Sequence, residues 1–297
     1  MITTVRPRKW VMAAYLLPSF ILFVVVVLVP VFFAIRYSFF DWPGGARMTF
    51  IGMANYIEMI KDPFFWNSFY NNVYITVVCL VIQIGFAFVI ACLLQAKCAK
   101  LKGFHRVVAY FPVTIAAIVV GFVWSMIYDF NYGILNFFLE LFGRADLVRP
   151  WLADSSTIMM VVSIPLAWQY IGMYLIIILA AMTSINTEVL EMAEIDGARA
   201  IHKAIYIIMP LIKNTLIICV MLCISGNMRA FDHIYAMTRG GPGFDSSVMA
   251  LYSYRISFMN MRMGYGSALS IGILILSLVL VVGSRLLLQR LTRKGDV

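Results

Sequence analysis

The chain has 297 residues, of which 63% are hydrophobic and 12% charged, with a mean hydropathy of +0.92. Too few polar residues are present to coat a water-soluble fold of that length, so the composition excludes a soluble globular protein and fits a polytopic membrane protein. The net charge of +9 is read as basic residues flanking membrane spans rather than as a nucleic-acid surface.

The N-terminal stretch MITTVRPRKW is basic and precedes an apolar run, the arrangement of a signal peptide. That run continues to about Ile35, too long for an h-region, and no small-x-small cleavage site follows. A retained first span is expected. About 20 apolar residues cross the hydrocarbon core, and six stretches qualify, at 11–35, 70–94, 107–128, 158–182, 211–233 and 267–288. Lys213, Asn214, Asn227 and Arg229 interrupt the fifth. Between spans, the segments 36–69 and 129–157 hold Pro, Gly, Trp and Tyr and read as short ordered caps. In TRGGPGFDSS (238–247) the Gly240, Gly241, Pro242 and Gly243 run marks a turn, and without a following Lys-Ser or Lys-Thr it is not a phosphate loop. The expected fold is all-α with six transmembrane helices.

Lys and Arg set the orientation. Arg6, Arg8 and Lys9 precede the first span, Lys97, Lys100, Lys102 and Arg106 lie between the second and third, and Arg285, Arg290, Arg293 and Lys294 close the chain. Both termini are therefore expected in the cytoplasm, and with six spans so is the connection at 183–210.

Enzyme chemistry is hard to find. Cys79, Cys92, Cys98, Cys219 and Cys223 form no C-x-x-C pair and most sit in apolar runs, where a thiol acts as a small hydrophobe. His105, His202 and His233 are scattered, so no metal site is expected. Ser225-Gly226 is the nearest approach to a nucleophile motif of an intramembrane enzyme, and it has no partner histidine within a span. No Asp or Glu lies at 63–128, 155–187, 197–231 or 246–295, which leaves the span interiors free of acid. Proton- and sodium-coupled carriers place ionisable groups near the midplane, so a stand-alone secondary carrier or channel is the weaker alternative, and the energy source is expected to be a partner.

Four of the 14 acidic residues, Glu188, Glu191, Glu194 and Asp196, fall within nine positions of EVLEMAEIDGARAIHKAIYIIMPLI (188–212). Asn186 or Thr187 caps a helix starting near Glu188, whose acids favour the positive end of the dipole. At about 100° per residue Glu188, Glu191 and Glu194 share an arc with Ile195, and Val189, Leu190, Met192 and Ala193 lie opposite. Gly197 supplies a left-handed cap. A second helix follows with Ile201, Ala204, Ile205, Ile208 and Met209 on one face, and Pro210 breaks or kinks the chain at the entry to the fifth span. Membrane-surface helices favour Lys and Arg on the polar face, so a glutamate face points to a basic groove on another protein.

The same segment resembles the cytoplasmic EAA loop of binding-protein-dependent ABC importer permeases, matching at Glu191, Ala193, Asp196, Gly197, Ile208 and Pro210, with Met192 and Met209 replacing an alanine and a leucine. TRGGPGFDSSVMALYSYRISF (238–258), WQYIGMYLIIILAAMTSI (168–185) and YFPVTIAAIVVGFVWSMIYDFNYGILN (110–136) are similar to the carbohydrate branch, the maltose, glycerol-phosphate and oligosaccharide permeases. The resemblance implies a five-helix type I importer core over 68–290 with a coupling hairpin at 186–210, preceded by an added first span (1–67) and followed by a tail (291–297). It implies coupling through Glu188, Glu191, Ala193, Asp196, Gly197 and Pro210 to a cytoplasmic ATPase dimer that binds the ATP, so this chain itself needs no cofactor. It also implies a second homologous permease, an extracytoplasmic sugar-binding protein and a bacterial plasma-membrane location.

For a sugar path, hydrogen-bonding and aromatic residues within the spans are candidates: Gln83, Thr114, Trp124, Gln169, Tyr170 and Asn227. Against the maltose permease pattern, Gln169, Tyr170, Met173 and Asn227 fall at cavity-lining positions, as do the apolar Val113 and Ala117. Helix–helix hydrogen bonding is the ordinary alternative for each amide. Arg229, about 24 Å beyond Lys213 along a helix, is either a pathway contact or the ion-pair partner of Asp232.

Overall fold

The computed structural model describes residues 9–96 and 100–293. Arg6, Arg8, Lys97, Lys294 and Cys98 lie outside the described residues. In chain order the elements are α1 (Trp10–Tyr37), β1 (Phe40–Asp41), β2 (Thr49–Phe50), α2 (Ala54–Lys61), α3 (Pro63–Gln95), α4 (Lys102–Thr114), α5 (Ala117–Ile127), α6 (Ile134–Leu141), α7 (Ile158–Thr183), α8 (Thr187–Ile195), α9 (Ala200–Leu211), α10 (Lys213–Asn227), α11 (Asp232–Met237), α12 (Met249–Tyr254) and α13 (Met263–Arg293). The protein is thus almost wholly helical.

Four helices are long and apolar enough to cross a membrane unbroken: α1, α3, α7 and α13. Two bent helix pairs, α4 with α5 at 96° and α9 with α10 at 79°, bring the total to six where each pair is counted as one span. The straight spans expected at 107–128 and 211–233 are corrected accordingly. In the first, Pro112 opens a tight turn at Phe111–Thr114 and the backbone is extended at Ile115 and Ala116. In the second, the bend falls at Ile212 between α9 and α10, and α10 then stops at Asn227, although the apolar run continues, before the chain turns into α11. Helix α9 runs one residue past Pro210 to Leu211, and the chain then bends by 79° at Ile212 into α10, so the kink expected at the entry to the fifth span falls two residues after the proline. A π-type turn at Ala204–Ile208 precedes it and absorbs the missing N–H, and an equivalent turn at Val24–Leu28 precedes Pro30.

The described chain divides into two compact units, one comprising residues up to Asp62 with Ser253–Gly272 and the other Pro63–Tyr252 with the remainder from Ile273. In the first, β1 and β2 pair antiparallel with Phe40 opposite Phe50, a ladder too short to leave a sequence pattern. Asn55 donates to the Ser38 and Phe40 carbonyls at 2.8 and 3.0 Å. Arg262 grips Glu58 through two 2.7 Å bonds, and Tyr265 donates to Asp62 at 2.6 Å. Gly264 is required by space: a Cβ there would stand 2.0 Å from the Phe40 carbonyl oxygen.

The second unit is organised about α7, which packs against α3, α4, α5, α10 and α11. Its buried face runs from Ile158 and Val162 through Leu166 and Leu175 to Met182. At Gly172 the α4 backbone passes so near that a Cβ would lie 2.1 Å from the Ala109 carbonyl oxygen. Polar side chains then fasten the apolar helices. Gln83 donates to the Leu166 carbonyl at 3.1 Å and accepts from the Cys223 thiol at 3.4 Å, joining α3, α7 and α10. Asn72, fully buried, donates to the Asn227 carbonyl and accepts from the Met249 N–H, both at 2.8 Å. Asn71 holds the carbonyls of Asp245 and Ser247, each at 2.8 Å. The turn TRGGPGFDSS is therefore tied down by α3 rather than loose. Asn72→Leu would leave one carbonyl and one N–H buried without partners, at about 1–3 kcal/mol each. The expected result is a lower thermal unfolding midpoint in detergent, and an unchanged midpoint would contradict this assignment.

Candidate functional site

Two places in the second unit gather the residues singled out by sequence. The first is the hairpin α8–α9. Asn186 begins it, its Oδ1 accepting from the Glu188 N–H at 3.0 Å. At the other end Ala198 N–H returns to the Ala193 carbonyl at 2.9 Å and Gly197 N–H to Glu194 at 3.1 Å, the paired bonds of a Schellman cap. Gly197 has φ +78°, and nothing lies within 4 Å of where its Cβ would be. Backbone conformation alone therefore demands glycine here. Glu194 is not a free docking acid, since Lys203 Nζ meets it at 2.7 Å and closes the hairpin. Asp196 provides the last non-left-handed residue of the turn.

The apolar face departs from expectation. Only Ala193 is buried in α8 and only Ile208 in its neighbour, while Met192 is 64% and Ile195 84% exposed. Met192 therefore does not sit on a face covered by any of the described residues. Val189, Met192, Ala193, Gly197, Arg199 and His202 instead line an open groove of about 800 Å³ in the angle of the hairpin. Pro210 lies away from that groove, in α9.

The second place is a cavity of about 230 Å³ lined by Tyr170, Met173, Asn227 and Arg229 among others, including Gln83, Ala117, Cys223, Asp232 and His233. Val113 is not on its wall. Four of the five expected pathway residues thus meet. The fifth, Gln169, is 1% exposed and lies behind the wall: its Nε2 donates to the Ile115 carbonyl at 2.8 Å, and its Oε1 meets His233 Nε2 at 2.5 Å. Asn227 is half a structural residue, donating to the Cys223 carbonyl at 2.8 Å. Arg229 lies beyond the end of α10 rather than deep in a span. Its Nε donates to the Ser225 carbonyl at 3.1 Å, and no ion pair joins it to Asp232 among the described residues. Thr114 donates to Phe111 within its own turn, and Trp124 packs edge-on to Trp168 at 5.9 Å.

Sequence reasoning passed over His233 as a loop histidine. Its burial follows from α11 lying against α5, where a Cβ on Gly121 would come within 3.1 Å of the His233 backbone. Its position at the end of the apolar run 211–233, which Asn227 and Arg229 interrupt, was the available signal.

Comparison with known proteins adds to this geometry. The profile of the family described as binding-protein-dependent transport system inner membrane component matches residues 83–293. The chain is 32% identical over 278 residues to the probable ABC transporter permease protein YurN of Bacillus subtilis, covering 93% of this chain and 95% of that one. It is 28% identical over 285 residues to the probable starch degradation products transport system permease protein AmyD of Thermoanaerobacterium thermosulfurigenes, covering 95% and 94%. A solved chain of the bacterial alginate ABC transporter, in complex with an alginate pentasaccharide-bound periplasmic protein, superposes with a TM-score of 0.82 at 20% identity over 96% of each chain.

The cap predicts a graded response at Gly197. Gly197→Asn keeps the left-handed turn, whereas Gly197→Val costs about 1–2 kcal/mol. Amide exchange at Ala198, whose N–H closes the cap, should then be about tenfold faster in the valine than in the asparagine variant; equal exchange in both variants would contradict the backbone requirement.

Proposed function

The chain belongs to the binding-protein-dependent transport system inner membrane components, and on that premise we propose that it forms half of the membrane pathway of a sugar ABC importer and couples to a separate ATPase through α8–α9. The observation that carries the reading is the hairpin itself. A rigid, doubly capped helix offers Glu188 and Glu191 together with the uncovered Met192 and Ile195, a surface suited to a protein cleft that supplies basic and apolar groups. ATP is bound and hydrolysed by that partner, and this chain performs no catalysis.

Support for a sugar comes from relatives such as the starch-product permease and from the mixed lining of the 230 Å³ cavity, where Arg229, Asp232 and Asn227 offer donors and acceptors beside Tyr170 and Met173. That mixture suits the hydroxyls and the apolar ring face of a saccharide. The family description supports a binding protein as partner, and a second homologous permease completes the pathway. The Lys and Arg distribution supports cytoplasmic termini and a cytoplasmic hairpin in a bacterial plasma membrane.

Closure of the ATPase dimer moves α8–α9, and α9 transmits that movement through its bend into α10, whose end lies on the cavity wall. Glu191→Lys places like charge against a basic cleft. It should cut co-purification of the ATPase by about tenfold or more and abolish sugar uptake while the permease remains in the membrane. Gly197→Pro should do the same through the turn. Normal uptake by both variants would overturn the coupling assignment, and sugar uptake by the chain reconstituted alone would overturn the importer reading. Measuring which sugars stimulate ATP hydrolysis by the assembled complex then identifies the cargo.

A further inference from the structure

We infer that the hydrogen bond between Gln169 and His233 is a latch that keeps the pathway cavity closed, and that Gln169 acts as a positioning residue rather than a sugar contact. This deepens the pathway reading and rests on it.

The amide has only one orientation open to it. A carbonyl oxygen can only accept, so the nitrogen of Gln169 faces Ile115 at 2.8 Å and its oxygen faces His233. His233 Nε2 therefore carries a proton and donates it across 2.5 Å. The two partners sit at the two places where backbone near the cavity leaves regular helix. Ile115 is in the extended break between α4 and α5, and His233 is just after the turn that ends α10. One buried side chain on the continuous helix α7 thus ties the α4–α5 break to the start of α11.

His233 lines the cavity, whereas Gln169 does not. Parting α11 from α7 would remove the wall between them. In a dry interior that separation strands a donor and an acceptor without partners. Once water fills the cavity it solvates both, and the bond is easily exchanged. The latch consequently favours a closed cavity when dry and yields when the pathway is hydrated. The close approach of α5 and α11 at Gly121 means that the Ile115 break and His233 move against α7 as neighbours.

Three native thiols report the state of the latch. Cys223 lines the cavity and is 1% exposed, whereas Cys79 and Cys219, each 0% exposed, do not line it. Membrane vesicles bearing the full chain would be treated with 2-aminoethyl methanethiosulfonate, and modification at each cysteine followed by peptide mass spectrometry. Gln169→Leu and His233→Leu should each raise the rate at Cys223 about tenfold with Cys79 and Cys219 unchanged, and the double variant should be no faster than either single one. His233→Gln places an N–H near the original Nε2 position and should label as slowly as wild type, whereas the shorter His233→Asn should label fast. An unchanged Cys223 rate in the leucine variants would overturn the latch. If those variants expose all three thiols together, the Gln and Asn pair decides, and equal rates in that pair would overturn it. The assay uses neither sugar nor ATP, so the latch and the importer reading fail independently.

Discussion

Hydrocarbon offers nothing to hydrogen-bond a stray backbone group, and in the second unit the chain leaves regular helix beside the cavity at 111–116 and again at 228–231. Everything else in the second unit follows from how those breaks are satisfied. The amides of Asn72, Gln83 and Gln169 answer the requirement from continuous helices: Asn72 and Gln83 from α3, Gln169 from α7. Each bridges to two other segments. The polar atoms are few: Asn72 and Gln169 stand beside the segments where helical self-satisfaction ends, and Gln83 ties α3 to residues within α7 and α10. An apolar replacement removes one partner and leaves another exposed to a medium that cannot replace it. For that reason a handful of amides has more influence on this architecture than the apolar area around them, which packs similarly in many arrangements.

The same constraint separates rigid from movable parts. Helix α7 is continuous and buries 14 of its residues, so it serves as a fixed post. The pieces attached to it through amides are short, and the cavity forms where they meet. At the other end of the unit the hairpin α8–α9 is rigid for a different reason, being closed by its caps and by Lys203–Glu194. It carries apolar residues, Met192 and Ile195, that stay exposed among the described residues. A stiff handle joined through one bend to the helix that ends at the cavity is a mechanical arrangement of the kind the proposed coupling requires.

The hairpin was legible in the sequence because its determinants are local. Asn186, the early acids and Gly197 each act within a turn of where they stand, and the structure realises all three. Burial on that hairpin was not legible: periodicity marks Met192 as apolar but says nothing about what covers it. The ends of the bent spans were misjudged for a related reason. Met228, Ala230 and Phe231 continue the apolar run past Asn227, while the turn there is held by Asn72, more than 150 positions earlier. Gln169 shows the same limit. A glutamine beside Tyr170 in a span resembles a pathway residue, and only the positions of Ile115 and His233 reveal that its amide points behind the wall. The two-residue pairing of β1 and β2 is too short for any pattern to announce.

The central claim is that the non-helical segments are held as firmly as the helices they interrupt. Amide hydrogen exchange in lipid nanodiscs tests it most directly, comparing peptides over 111–117 and 226–233 with peptides from the middle of α7. The account predicts protection in both segments on the same timescale as α7. Exchange within seconds at either break, with α7 still protected, would contradict it.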